Sequence, residues 1–391
     1  MQLSAVASPL LAHAIFAGCD RREYATAFRE LCHPLPWITV APLDDPQEQH
    51  LGCETYTMPA QGCRAARALA MHAYATTRGR LDAGAAQRTS TGAIRAVGLG
   101  CVGRIAAAGR GACLAAQSNQ VTETWHVDFP PTIDAIAAGA EILALLLLQM
   151  AGTDSDRFTL HRAAARAEIV VSRTRARPGW SELLDGKLAA VGYRGTALQA
   201  AVPPQRHAHA AVQGDPVRVV FPGAFNPLHR GHRRMVHWAR QRLGAAPAFE
   251  ISLTNVDKPP LDFTEMDYRL RQFGPDDFVW FTRAATFVDK AELFPGATFL
   301  VGADTLRRIA DARYYPSPAA RDQALAALAA RGCRFLVFGR LQQGVFVTLR
   351  ALQVPDCLAA LCEEVPENEF REDIASSQLR HCPVSQPEHG P

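Results

Sequence analysis

The amino-acid sequence predicts an α/β protein, with a doubly wound parallel sheet in its C-terminal half preceded by a second α/β domain. Two observations predict it. From Val217 onward, short β-branched or aromatic runs alternate with helix-length segments, the pattern of strands joined by crossover helices. Before residue 152, two long helical patterns flank one short apolar run. The 391 residues suffice for two or three domains with buried cores.

In the first zone, residues 1–152, the helical patterns cover Gln61 to Thr77 and Ile133 to Met150, and Ala96 to Val102 reads as a buried strand between them. Asp134, Glu141 and Gln149 interrupt the second pattern, which predicts a buried helix rather than a membrane span. Met1 to Cys19 is apolar, but no Lys or Arg precedes it and Arg21-Arg22 follow, the wrong order for a signal peptide. Residues 153–216 read as a bridging segment. Arg157, Arg162, Arg166, Arg173, Arg175 and Arg177 form a solvated face there, and Pro203 to His209 form a linker. The third zone, residues 217–382, has strands at Val217 to Phe221, Glu250 to Leu253, Phe278 to Thr282, Thr298 to Val301 and Arg334 to Phe338. Its helices run from His232 to Leu243, Glu265 to Phe273, Thr286 to Leu293, Thr305 to Ala310 and Ala319 to Arg331.

Composition excludes several functions. A net charge of +3 gives no electrostatic signal for nucleic acid or an anionic membrane. The ten cysteines show no CxxC pair and no Cys/His zinc spacing, so reduced, mostly buried thiols are expected and no metal ligand is assigned. The chain reads as soluble and cytoplasmic. Of its 41 basic residues only Lys187, Lys258 and Lys290 are lysine. Chemistry that needs a lysine therefore has three candidates, none in the first 186 residues.

The segment that carries chemistry is Phe221-Pro222-Gly223-Ala224-Phe225-Asn226-Pro227-Leu228-His229-Arg230-Gly231-His232. It leaves a strand and enters a helix. Gly223, without a Cβ, lets the backbone turn close to a ligand. Gly231 lets His229 and His232 meet at a helix N-terminus, where free N–H groups and the dipole favour phosphate. Two imidazoles there add donors that can follow charge onto a phosphoryl oxygen. Further on, Val301-Gly302-Ala303-Asp304 closes a strand and opens a helix. In Ile374-Ala375-Ser376-Ser377-Gln378-Leu379-Arg380, Ser376 or Ser377 can cap a helix whose Arg380 offers a fork for phosphate oxygens.

These residues resemble the nucleotidyltransferase superfamily of adenylyl- and cytidylyltransferases, whose Gly-x-Phe-x-Pro-x-His-x-Gly-His loop is matched by Gly223, Phe225, Pro227, His229, Gly231 and His232. The Gly302–Asp304 and Ile374–Arg380 segments are similar to the Gly-x-Asp and Ile-Ser-Ser-Thr-x-Ile-Arg elements of the nicotinamide-nucleotide adenylyltransferases. The resemblance implies a Rossmann-like fold and transfer of AMP from ATP, with Mg²⁺, to nicotinamide or nicotinate mononucleotide, a step of NAD biosynthesis. His229, His232 and Arg380 would be catalytic. Gly223, Phe225, Asn226, Gly231, Ser376 and Ser377 would bind the nucleotide, and Lys258, Gly302 and Asp304 the acceptor. Asn226 stands where many relatives have Asp, and Tyr314 and Tyr315 lie where the adenylyltransferases usually carry a tryptophan. The alternatives are cytidylyl transfer to a phosphorylated alcohol and a non-catalytic nucleotide-binding regulator. The implied partners are small molecules, with no nucleic acid and no membrane.

In the first zone, Gly98, Gly100, Gly103 and Gly111 resemble the glycine-rich strand-loop of the C-terminal family of competence/damage-inducible protein A, which includes nicotinamide-nucleotide amidases. Those amidases use a serine with a nearby lysine and tyrosine. With no lysine before Lys187, this zone reads as inactive, a scaffold or a homo-oligomerisation surface.

Overall fold

The computed structural model describes residues 13–19, 26–27, 38–42, 59–82, 95–106, 109–130, 134–150, 167–204, 211–212, 215–254, 260–342, 344–374 and 379. The chain divides into two compact units. The first comprises Met1–Ser181 with Asp257–Asp267, and the second Glu182–Val256 with Tyr268–Pro391.

In the first unit, strands β1 (His13–Cys19), β2 (Ile38–Pro42), β3 (Arg95–Ala106), β4 (Gly109–Gln117), β5 (Val121–Phe129) and β6 (Glu168–Arg175) form one sheet in the order β2-β1-β3-β4-β5-β6. β1 runs parallel to β2 and β3, and the remaining pairs are antiparallel. Helix α1 (Pro59–Asp82) packs on this sheet, and α2 (Ala135–Met150) follows β5. Both expected helices and the Ala96–Val102 strand are present. Among the described residues no helix is long and apolar enough to cross a membrane.

Two glycines of β3 have a packing role. A Cβ on Gly98 would lie 2.0 Å from the Ala70 carbonyl oxygen, and one on Gly100 would lie 2.1 Å from that of Ala66. α1 is thus seated directly on the strand backbone, which only glycine permits. Gly98→Ala is expected to destabilise this unit by about 1–3 kcal/mol or more, since a helix backbone cannot rotate aside as a side chain can. Chemical denaturation checks this, and an unchanged midpoint would refute the seating.

After α3 (Trp180–Leu184), which straddles the boundary, the second unit contains β7 (Ala190–Arg194), β8 (Ala197–Val202), the short pair β9 (Ala211–Val212) and β10 (Asp215–Pro216), and β11 (Val219–Pro222). Then follow α4 (Arg230–Leu243), β12 (Ala248–Ser252), α5 (Phe263–Leu270), whose residues up to Asp267 count with the first unit, β13 (Phe278–Thr282), α6 (Phe287–Leu293), β14 (Thr298–Gly302), α7 (Ala303–Ala310), α8 (Pro318–Ala330) and β15 (Arg334–Phe338). A hairpin, β16 (Arg340–Gln342) with β17 (Val345–Val347), precedes α9 (Asp356–Ala359) and β18 (Cys362–Val365). The sheet order is β18-β15-β14-β11-β12-β13-β7-β8, with six parallel strands from β18 to β13 and β7 and β8 antiparallel at one edge.

This is the expected doubly wound sheet. Its strands are continuous apolar runs because both faces are covered: all five residues of β13 are buried, as are the last four of β15. Local signals set the helix ends. Thr286 and Asp289 form a reciprocal capping box at α6, and Ser317 caps α8 ahead of Pro318. β11 has β12 on one side and β14 on the other, although the chain reaches β14 only after β12 and β13. The strand order reverses at β11 and β14, and in such sheets ligands bind outside the carboxyl ends of the strands at that point.

Residues 153–216 are not a separate bridge where the structure describes them. β6 joins the first sheet, and β7 and β8 extend the second. Nor is the solvated arginine face wholly unpaired: Arg173 meets the buried Glu123 at 2.7 Å, and Arg177 meets Asp267 at 2.6 Å. The third zone is also interrupted, since Asp257–Asp267 counts with the first unit. There Arg67 pairs with the buried Asp262 at 3.1 Å, the Thr122 hydroxyl accepts from the Phe263 N–H at 3.0 Å, and Trp180 stacks on Phe263.

Candidate active site

β11 delivers the chain to the switch point, and the loop after it is held from three sides. The Gly223 N–H donates to the Glu250 carbonyl of β12. Gln272 clamps the loop with one side chain: its Nε2 donates to the Phe225 carbonyl at 3.0 Å, and its Oε1 accepts from the Leu228 N–H at 2.7 Å. Phe225 adopts φ 44° and is followed by a cis Asn226-Pro227 peptide. Its ring is 1% exposed and packs against Phe221, Phe249, Phe273 and the His232 imidazole. Phe225 therefore supports a catalytic candidate from beneath, and its side chain is no ligand surface. Gly223 is required by the same ring, because a Cβ there would lie 2.7 Å from it.

α4 begins at Arg230, two residues before the sequence-based start. His229 is consequently the N-cap, and His232 lies in the first turn. The His229 backbone N–H donates to His232 Nδ1 at 3.2 Å, and the two rings stack with centroids 3.7 Å apart. With Nδ1 accepting, His232 carries its proton on Nε2. His229 Nδ1 is buried without a hydrogen-bond partner. A Cβ on Gly231 would come within 3.0 Å of His229 Nδ1, of Glu372 and of Ile374. The third motif thus begins against the first, and Glu372 is held there by Arg230 at 3.3 Å and Arg234 at 2.8 Å.

Across the switch point, Gly302 caps α7 and Asp304 sits in its first turn. Arg340, just beyond β15, pairs with Asp304 at 3.2 Å. Its charge also acts on both histidines. Sequence reasoning missed Arg340 and Gln272. Tyr314 is exposed, and the Tyr315 hydroxyl donates to the Ile309 carbonyl at 2.9 Å. Lys258, Ser376, Ser377 and Arg380 lie outside the described residues. Lys187 is exposed, and Lys290 is buried on Glu250.

The electrostatics favour neutral imidazoles. Burial, then the charges of His229, Arg340 and Arg233, hold the His232 pKa down to about 3 from an ordinary 6.5. Burial and Arg340 lower that of His229, against Glu372, which raises it. Neutral rings donate N–H groups without an obligatory charge, beside the free N–H groups of α4 and the Arg340 guanidinium. The folded-state pKa of His232 lies below its unfolded value, so its contribution to stability is full above pH 6.5 and is lost as pH falls toward 3. His232→Gln, neutral throughout, is expected to lose less Tm than the unsubstituted chain between about pH 7.5 and about pH 5. Equal losses would assign the acid sensitivity elsewhere.

Residues 220–267 match the cytidylyltransferase-like family, which supports a nucleotidyltransferase in general. The matched stretch covers β11 from Val220, the histidine loop, α4 and β12. Comparisons with curated proteins and with solved structures returned no match.

Proposed function

We propose that the second unit transfers AMP from ATP to the phosphate of nicotinamide or nicotinate mononucleotide. The observation that carries this reading is the stacked His229–His232 pair at the N-terminus of α4, at the switch point beside Arg340 and Asp304. An acceptor phosphate oxygen attacks the α-phosphorus in line. The bond from that phosphorus to the oxygen bridging to the β-phosphorus breaks, and pyrophosphate leaves with the electron pair. The protein positions the reactants and stabilises charge moving onto the phosphoryl oxygens. His232 Nε2–H and His229 donate to oxygens near the reacting phosphorus, and Arg340 offers its free guanidinium face to the same charge.

Mg²⁺ neutralises phosphate charge when it accompanies the triphosphate. Asp304 and Glu372 already carry arginine partners, so the donor set fits an ion held chiefly by phosphate oxygens and water. Ser377 and Arg380 are assigned to the β- and γ-phosphates, and Gly302 and Asp304 to the acceptor.

Cytidylyl transfer to a phosphorylated alcohol is the second reading, favoured by the name of the matched family. A pyrophosphate-release panel tests both by crossing ATP and CTP with nicotinamide mononucleotide, nicotinate mononucleotide, phosphopantetheine and a phosphorylated alcohol. Turnover with ATP and a mononucleotide is expected. Turnover only with CTP would replace the first reading by the second. Nucleotide-dependent thermal stabilisation without turnover would leave a binding regulator.

A further inference from the structure

The first unit gathers a cluster that no linear spacing announces. Cys63 comes from α1, Cys113 from β4 and His126 from β5, and one donor atom from each lies within 4.8 Å of the others. Cys63 Sγ is 3.1 Å from Cys113 Sγ, which is 3.5 Å from His126 Nδ1. Cys113 and His126 face each other directly across the β4–β5 ladder. Two residues along β5, Asp128 Oδ2 lies 3.3 Å from His126 Nε2.

We propose that this cluster is a zinc site with ligands Cys63, Cys113 and His126. Four features support it. Two thiols and an imidazole are the donor set of a thiophilic d¹⁰ ion. A donor bond from His126 Nε2–H to Asp128 leaves the Nδ1 lone pair facing the sulfurs, the carboxylate–histidine–metal arrangement that fixes tautomer and ring orientation. All three ligands sit on a helix or strand packed into one sheet, so the site is held by rigid elements. Finally, tetrahedral zinc with bonds of about 2.3 Å places two sulfurs about 3.8 Å apart, so Cys63 and Cys113 need to separate by less than about 1 Å. Gly62 contributes room, since a Cβ there would lie 3.1 Å from Cys113 Sγ.

Binding releases two thiol protons to solvent, and the two thiolates balance the ion's charge. His126 binds through a lone pair and loses no proton. Three protein ligands leave the fourth position to water or a small donor. A disulfide between the same cysteines would use neither His126 nor Asp128, which is why the metal is favoured. The lack of a zinc spacing in the sequence has a simple cause: the ligands are 50 and 13 residues apart and meet only through tertiary packing.

The test uses the full chain, reduced and stripped with a chelator, then titrated with Zn²⁺ against a chromophoric competitor and with Co²⁺ as a spectroscopic probe. One ion per chain is expected, with a thiolate-to-cobalt charge-transfer band. Asp128→Asn is expected to weaken binding by roughly 10–100-fold. Cys63→Ser and His126→Asn should each weaken it further, and Cys63→Ser should diminish the band. If both variants fold normally by circular dichroism and bind as the unsubstituted chain does, other cysteines hold the metal and the proposal is overturned. It is equally overturned if the reduced chain takes up no zinc while peptide mapping of the oxidised chain returns a Cys63–Cys113 disulfide.

Discussion

His232→Ala is expected to lower the turnover of pyrophosphate release by roughly 10²–10³, the usual cost of one preorganised donor aimed at developing charge. The loss should fall on kcat more than on KM, because the imidazole acts most strongly on charge that appears in the transition state. His232 is suited to this role by what surrounds it. Phe225 and Phe221 pack against its ring, His229 stacks on it, and the backbone N–H of His229 occupies its Nδ1. The alanine variant removes the donor and also the acceptor for that N–H. His232→Asn is the companion, keeping a polar side chain while shifting the donor. Turnover of His232→Ala equal to that of the unsubstituted protein would sink the assignment of this histidine.

The second large effect is on stability. Lys290 of α6 and Glu250 of β12 are 5% and 1% exposed and meet at 2.9 Å. The carboxylate also accepts from the Thr282 hydroxyl, and the ammonium donates to the Ala284 carbonyl. Lys290→Met leaves a buried carboxylate without its cation and is expected to cost about 3–5 kcal/mol in equilibrium unfolding. Adding Glu250→Gln should recover part of that loss, since the orphaned charge, more than the missing attraction, is the expensive element. If the single and double variants unfold at the same denaturant concentration, the pair is not coupled. The effect also bears on the site, because the backbone carbonyl of Glu250 anchors Gly223 at the start of the histidine loop.

The parallel strands of the second unit were legible because burial on both faces writes each as an unbroken apolar run, as in Phe278 to Thr282 and Arg334 to Phe338. The histidine loop was legible because glycine, proline and histidine at fixed spacing carry a mechanism that short stretches can encode. Other features had no comparable signal. β7 and β8 are short antiparallel strands rich in alanine; β8 pairs with β7, and β7 pairs with β13 from far along the chain. Arg340 is hidden by composition: in a sequence so rich in arginine, one more after a strand stands out only once folding sets it beside Asp304. The start of α4 depended on His229 acting as N-cap, a place that serine, threonine, asparagine or aspartate usually signals. Glu250 and Lys290, 40 residues apart, belong to one structure only in three dimensions.

The return of Asp257–Asp267 to the first unit has a consequence for how this gene can be cut or recombined. The first unit is written in two separate stretches of coding sequence, with more than seventy codons of the second between them. No single crossover or truncation can deliver either unit whole. A fragment begun after β8 would carry Asp262 without Arg67 and Phe263 without Trp180. Inheritance of the second unit alone would first require a replacement for that loan.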